Sequence, residues 1–261
     1  MILNKNFLND VINIGKFAGN EILKIYTKKN LNISYKNDSS TLTSADLISN
    51  RVIHLNLKKL TPKIRIISEE SMDSFISRKH EDFYWCIDPL DGTKKFINKN
   101  GEFTVNIALI HKKRPVLGVI HIPTKNISYV ALKSFGAFRV DDKGSFTKIS
   151  SCSGHSKKIR IVTSRSHLHS ETMHFISIND GNTLKAGSSL KFTLLAEGLA
   201  DLYPRFSPTM IWDTAAGDII LEKAGGIVYD LNKKKIKYDP EHLKNPKFIA
   251  RCKYLRFKNI K

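Results

Sequence analysis

The chain is poor in cysteine, in long apolar runs and in acid. Its three cysteines, Cys86, Cys152 and Cys252, are odd in number and far apart. That excludes a disulfide-stapled miniature domain and any paired spacing that would hold zinc or run thiol exchange, and the three read as reduced, mostly buried thiols. Met1 to Lys29 interleaves Asn, Lys, Asp and Glu with its apolar residues, so neither a secretory leader nor a membrane span is expected there, and the cytoplasm is the expected compartment. There are no internal repeats. Acid is short, with 24 Asp and Glu against 43 Lys and Arg for a net charge of +19. Such an excess raises nucleic acid, an anionic membrane surface or a polyanionic small molecule as partner. The lysines, however, are scattered, as at Lys28-Lys29, Lys112-Lys113 and Lys233 to Lys235, and lack the interleaved aromatics of a nucleic-acid footprint. No specific nucleic acid is therefore expected. Peripheral contact with the anionic inner membrane stays open, although no basic amphipathic helix singles it out, and no feature points to an oligomeric state.

What is present is an ordinary globular composition, 41% hydrophobic over 261 residues, enough to bury a large core. Leu3, Phe7, Val11, Ile14, Phe17, Ala18, Ile22 and Ile25 recur at helical spacing and predict a long amphipathic helix. Thr43 followed by Asp46 marks the start of a second helix, carried by Leu47, Val52, Leu55 and Leu57 up to Pro62,. Short apolar runs then follow at Ile64 to Ile67, Phe83 to Ile87, Phe103 to Ile110, Val116 to Ile122, Ile127 to Leu132 and Ala137 to Val140, read as consecutive antiparallel strands. A second half holds strands at Ile159 to Thr163, Ile227 to Tyr229 and Phe248 to Ala250, with helices at Leu190 to Glu197 and Thr214 to Lys223. The polar segment Ser150 to Lys158 is the expected hinge, dividing the chain into residues 1–150 and 151–261. Helices on sheets in both halves give a layered α/β or α+β architecture with chemistry where the halves meet.

Chemistry concentrates in Asp88-Pro89-Leu90-Asp91-Gly92-Thr93, directly after an apolar strand. Two carboxylates three residues apart, bent by Pro and released by Gly, come to one side of a tight turn. Like charges there repel unless a cation sits between them, and with the Leu90 carbonyl they form a hard-oxygen nest of the kind magnesium prefers. Glu69 and Glu70 after one strand and Asp213 before a helix could complete it. Alone, each would more often be a solvated pair or a plain N-cap. Gly92 and Thr93 open a short helix over Lys94 to Ile97, whose first amides suit a phosphate oxygen.

These residues also carry a resemblance. The DPxDG[ST] turn at Asp88 to Thr93 and the WDxxAG start at Trp212-Asp213-Thr214-Ala215-Ala216-Gly217 resemble the two signatures of the inositol monophosphatase superfamily. Within it, Trp85 to Phe96, Gly101 to Leu109, Gly187-Ser188-Ser189-Leu190-Lys191-Phe192 and Ala200 to Phe206 are similar to bacterial 3′(2′),5′-bisphosphate nucleotidases. The resemblance implies a layered α-β-α-β-α sandwich and two or three magnesium ions per site on Glu69, Asp88, the Leu90 carbonyl, Asp91 and Asp213. It also implies that Asp46 and Thr93 activate the attacking water. On the substrate side it implies contacts from Glu69, Leu90, Gly92, Thr93 and Asp213, with Ser164, His167, Ser188, Lys191 and Arg205 around a small-molecule nucleotide. The implied reaction is hydrolysis of the 3′-phosphate of adenosine 3′,5′-bisphosphate, extending to 3′-phosphoadenylyl sulfate and linked to sulfate assimilation. One departure is Lys95, which follows Lys94 where the family commonly has an acidic residue. Two rivals remain at this point: an inositol or sugar monophosphatase on the same metal core, and a non-catalytic nucleotide or nucleic-acid binder.

Overall fold

The structure, a computed structural model, describes residues 2–28, 33–35, 41–71, 82–151, 158–165 and 170–258. The first helix, α1 (Lys5–Tyr26), opens on Asn4, whose side chain accepts from the Phe7 amide at 2.9 Å, and it buries Leu8, Val11, Ile12, Ile14, Ala18 and Ile22. Phe17, expected on that face, is 62% exposed. A small hairpin, β1 (Ile33–Tyr35) with β2 (Thr41–Thr43), leads into α2 (Ser44–Leu60). The buried side of α2 runs Ala45, Ser49, Ile53, Leu57 at strict four-residue spacing, which turns Leu47 and Leu55 outward,.

A seven-stranded sheet follows in sequence order: β3 (Arg65–Ser68), β4 (Phe83–Asp91), then after the short α3 (Thr93–Ile97), β5 (Thr104–His111), β6 (Arg114–Ile122), β7 (Ile127–Leu132), β8 (Gly136–Val140) and β9 (Phe146–Lys148). From β4 onward it is the expected antiparallel meander. The β3–β4 pair is parallel, a correction that places the ends of both strands, and hence Glu69 and Asp88, at the same edge. The second sheet takes β10 (Arg160–Thr163), β11 (Asn182–Lys185) after α4 (Ser170–Asn179), β12 (Leu202–Arg205) after α5 (Leu190–Ala196), and finally β13 (Gly226–Asp230) and β14 (Phe248–Cys252), which follow α6 (Ile211–Lys223). Its order is β11-β10-β12-β14-β13.

The side-chain alternation of the large sheet assigns the layers. Trp85, Ile87, Ile107 and Leu109 pack on α1 and α2, whereas Tyr84, Cys86, Ala108 and Ile110 share a second core with Phe192 of α5, with Trp212, Ala215, Ala216 and Ile219 of α6, and with Phe248 and Ala250. Phe175 of α4 packs with Ile161, Leu202 and Ile249 on the far face of the small sheet. The layers therefore read α-β-α-β-α, as the resemblance implied. Small residues allow the central approach. A Cβ on Gly118 of β6 would lie 2.7 Å from the Ala216 carbonyl, and one on Gly217 would lie 2.3 Å from the Phe192 ring,.

One other expectation changes. Cys86 is free and buried, but Cys252 is disulfide-bonded, with its partner outside the described residues, so the three cysteines are not all reduced thiols: separation along the chain does not set distance in space. The expected hinge is described only at Ser150, Ser151 and Lys158, so the rest of it lies outside the described residues. Among the described residues, no helix is long and apolar enough to cross a membrane.

Candidate active site

The β4–β5 ladder is regular to Asp88, opposite Asn106, and resumes at Asp91, opposite Thr104. Pro89 and Leu90 bulge between them, where Pro lacks the N–H that a ladder needs. The bulge is pinned from three sides. Ser49 Oγ donates to the Pro89 carbonyl at 2.7 Å, Leu90 N–H donates to Asp88 Oδ1 at 3.1 Å, and Thr93 Oγ lies 3.3 Å from the Leu90 carbonyl.

Around this bulge three acids converge from distant segments. Glu69 follows β3, Asp88 lies in β4 and Asp213 in the first turn of α6, and one carboxylate oxygen from each lies within 4.8 Å of the others. Burial, and then Glu69, Asp91 and Asp213, hold the Asp88 carboxyl well above its ordinary range. Burial, and then Asp91, push Asp213 up to about 8. Packed like charges raise each other's proton affinity until a proton or a cation neutralises them. An all-oxygen donor set with this much uncompensated charge fits a hard divalent cation. Asp91 stands beside the trio rather than within it, its Oδ2 accepting from Ser189 Oγ at 2.7 Å and Asn106 Nδ2 at 3.3 Å.

Thr93 and Asp46 form the expected pair, with Thr93 Oγ donating to Asp46 Oδ1 at 3.0 Å. The other oxygen of Asp46 accepts from Thr43 N–H at 2.8 Å and Thr43 Oγ at 2.6 Å, closing the capping box of α2. Burial raises the Asp46 carboxyl above its ordinary value, while the bonds from Thr43 and Thr93 pull it back. Gly92 holds φ +94° at the start of α3, with no side-chain cap on that helix.

Next to the acids lies a cleft of about 130 Å³ lined by Asp91, Ser164, Ser188, Lys191, Arg205 and Asp213, among others. Lys191 is buried, its ammonium bonded to the Ser188 carbonyl, and burial lowers it to about 8 against the pull of Asp91 and Asp213. Lys191 is therefore not a solvated surface charge. Ser188 sits at φ +40°, and its buried Oγ, like the buried Nε of Arg205, has no hydrogen-bond partner among the described residues. Buried polar atoms left unpaired at a cleft are placed to bond a polar ligand.

The expected residues are thus brought to one place, except His167, which lies outside the described residues. One local expectation was wrong. Asp213 does not precede its helix but stands at the third position of α6, accepting from the Met210 amide at 2.8 Å, because α6 begins at Ile211, where the Leu243 carbonyl receives the first amide. Sequence reasoning missed Asn106, Ser189 and Glu102. Asn106 had a signal, a lone polar residue inside an apolar strand. Glu102 had none, yet it accepts from Arg165 through both oxygens at 2.6–2.9 Å and from the Gly187 amide at 2.9 Å, tying the loop before β5 to the cleft wall.

The chain is similar to known proteins over most of its length. The model of the Inositol monophosphatase family matches residues 4–254. The chain is 41% identical over 244 residues to the 3′(2′),5′-bisphosphate nucleotidase CysQ of Escherichia coli K12, covering 92% of this chain and 98% of that protein. It is 34% identical over 256 residues to the protein of the same name from Haemophilus influenzae, covering 95% and 94%. Among solved structures, CysQ from Bacteroides thetaiotaomicron superposes with a TM-score of 0.83 at 37% identity, covering 95% of this chain and 97% of that one. An inositol monophosphatase from Thermotoga maritima gives 0.77 at 25% identity, covering 94% and 91%.

Proposed function

Because this chain belongs to the inositol monophosphatase family, we propose that it is a magnesium-dependent 3′(2′),5′-bisphosphate nucleotidase, converting adenosine 3′,5′-bisphosphate to AMP and inorganic phosphate. Bisphosphate nucleotidase is the activity named for the curated relatives that match most of the chain. The observation that carries the proposal is the convergence of Glu69, Asp88 and Asp213 within 4.8 Å beside a cleft lined by Lys191 and Arg205. Acids in one place and cations in the next suit a ligand with two phosphates, one held through metal and one through side chains.

Glu69, Asp88, the Leu90 carbonyl, Asp91 and Asp213 would hold the two or three magnesium ions. Bound there, such ions supply charge neutralisation at the phosphoryl group and a more acidic water. The chain's own contribution begins at Thr93, whose hydroxyl proton points to Asp46 Oδ1. A Thr93 oxygen so polarised can take a proton from the attacking water as its own passes to Asp46. The buried, partly compensated Asp46 is suited to accept it. Gly92 opens the turn so that the first amides of α3 face phosphate. Ser164, Ser188, Lys191 and Arg205 bind the nucleotide and its second phosphate, and His167 is assigned to the same side. 3′-Phosphoadenylyl sulfate carries the same 3′-phosphate and belongs to the proposed substrate range, which links the enzyme to sulfate assimilation in the cytoplasm.

Phosphate release is measured on adenosine 3′,5′-bisphosphate, 3′-phosphoadenylyl sulfate, inositol 1-phosphate and fructose 1,6-bisphosphate, with magnesium and with chelator. Preference for the two adenosine substrates, lost on chelation, is the expected result. A higher kcat/KM on the inositol or sugar phosphate would overturn the substrate assignment, and turnover in chelator would overturn the metal.

A further inference from the structure

Ser189 occupies the N-cap position of α5, yet it makes no cap bond to its own helix. A serine there normally turns its hydroxyl onto the second or third amide of the helix. This one is turned the other way, into the metal side of the site. Its single proton has two acceptors in reach, Asp91 Oδ2 at 2.7 Å and the Asp213 carbonyl at 3.0 Å. The shorter, charge-assisted bond to the carboxylate is favoured. The Ser189 oxygen in turn accepts from Asn106 Nδ2 at 2.8 Å, and the same Nδ2 reaches Asp91 Oδ2 at 3.3 Å. Thr104 Oγ donates to Asn106 Oδ1 at 3.1 Å, which fixes the amide with its NH₂ toward the carboxylate. Both Ser189 and Asn106 are almost wholly buried, at 2% and 1% exposure, so water does not compete for these bonds.

One oxygen of Asp91 is thereby committed to two protein donors, and the carboxylate cannot rotate without breaking both. We propose that Ser189, supported by Asn106, is the positioning residue that orients Asp91 for the divalent cation, so that cation affinity depends on the start of α5 as well as on the acids themselves. The inference rests on the metal site proposed above. Groups that orient a metal ligand typically change affinity by about 10- to 100-fold when removed.

Magnesium binding is titrated calorimetrically on the full chain without substrate, for the wild type, Ser189→Ala and Ser189→Thr, with thermal melts in chelator alongside. The expected result is magnesium affinity weaker by about 10- to 100-fold in Ser189→Ala, regained in Ser189→Thr, with little change in the chelator melting temperature. A folded Ser189→Ala that binds magnesium within about twofold of the wild type overturns the role of Ser189. Should that variant not fold, Asn106→Ser is titrated in its place, under the same criterion. A wild-type protein that takes up no magnesium would instead sink the metal site itself, which separates the two failures.

Discussion

Asp46 divides its two oxygens between two tasks. Oδ2 receives Thr43 and caps α2, while Oδ1 receives the Thr93 hydroxyl. The division makes Asp46→Asn an informative change. The amide oxygen of Asn can replace Oδ2 toward Thr43, and its NH₂ then faces Thr93, so the helix stays capped while the direction of the Thr93 hydrogen bond reverses. A base lost in this way typically costs about 10²- to 10⁴-fold in rate. The expected outcome in steady-state assays is a fall of kcat in that range, with the melting temperature held within a few degrees. A kcat within about tenfold of the wild type would remove Asp46 from proton transfer.

At the scale of elements, α1 approaches the large sheet closely because Gly15 and Gly19 lie one turn apart on its buried face. A Cβ on Gly19 would fall 2.6 Å from the His121 ring, so the imidazole fills the space of the missing side chain, with Nδ1 and Ser128 Oγ 3.0 Å apart. Burial, and then Lys16, depress His121 from its ordinary 6.5 to about 4. The unfolded chain takes up a proton below pH 6.5 that the folded chain refuses until about pH 4. His121 therefore contributes stability above pH 6.5 and loses it between 6.5 and 4, by about 3 kcal/mol in full. Urea unfolding at pH 7 and pH 4.5 should show a smaller acid loss in His121→Gln than in the wild type. Equal losses would mean the imidazole is not held neutral.

Elements also show where the sequence was legible. The metal turn reads directly, because Asp88, Asp91 and Thr93 are contiguous and follow an apolar strand. The capping box of α2 reads for the same reason. β11 does not, since all four of its residues are exposed and an exposed edge strand leaves no alternating pattern. The Ser189 and Asn106 bonds are illegible too. They join residues 83 apart, and only the packing of α5 and α6 between the two sheets brings them together.

The whole molecule has its acids on both sides of its midpoint: Glu69, Asp88 and Asp91 on or beside the large sheet, and Asp213 on the helix that packs between the sheets. The unfolded chain has no such convergence, so a cation that binds there binds only the folded state. Its free energy then adds to that of folding, about 2.7 kcal/mol when the free ion is at a hundred times its dissociation constant. For a chain of this size each kcal/mol moves the midpoint by about 2–4 °C, so magnesium should raise the melting temperature by about 5–11 °C over chelator, without substrate. Because the central helix layer shares one core with both sheets, the shift should displace a single unfolding transition and not one half alone. Asp88→Asn, which removes the most buried acid of the trio, should lose most of that shift. Scanning calorimetry in magnesium and in chelator measures it. An unchanged wild-type midpoint, at magnesium levels that saturate activity, would show that the converged acids are not where the ion binds.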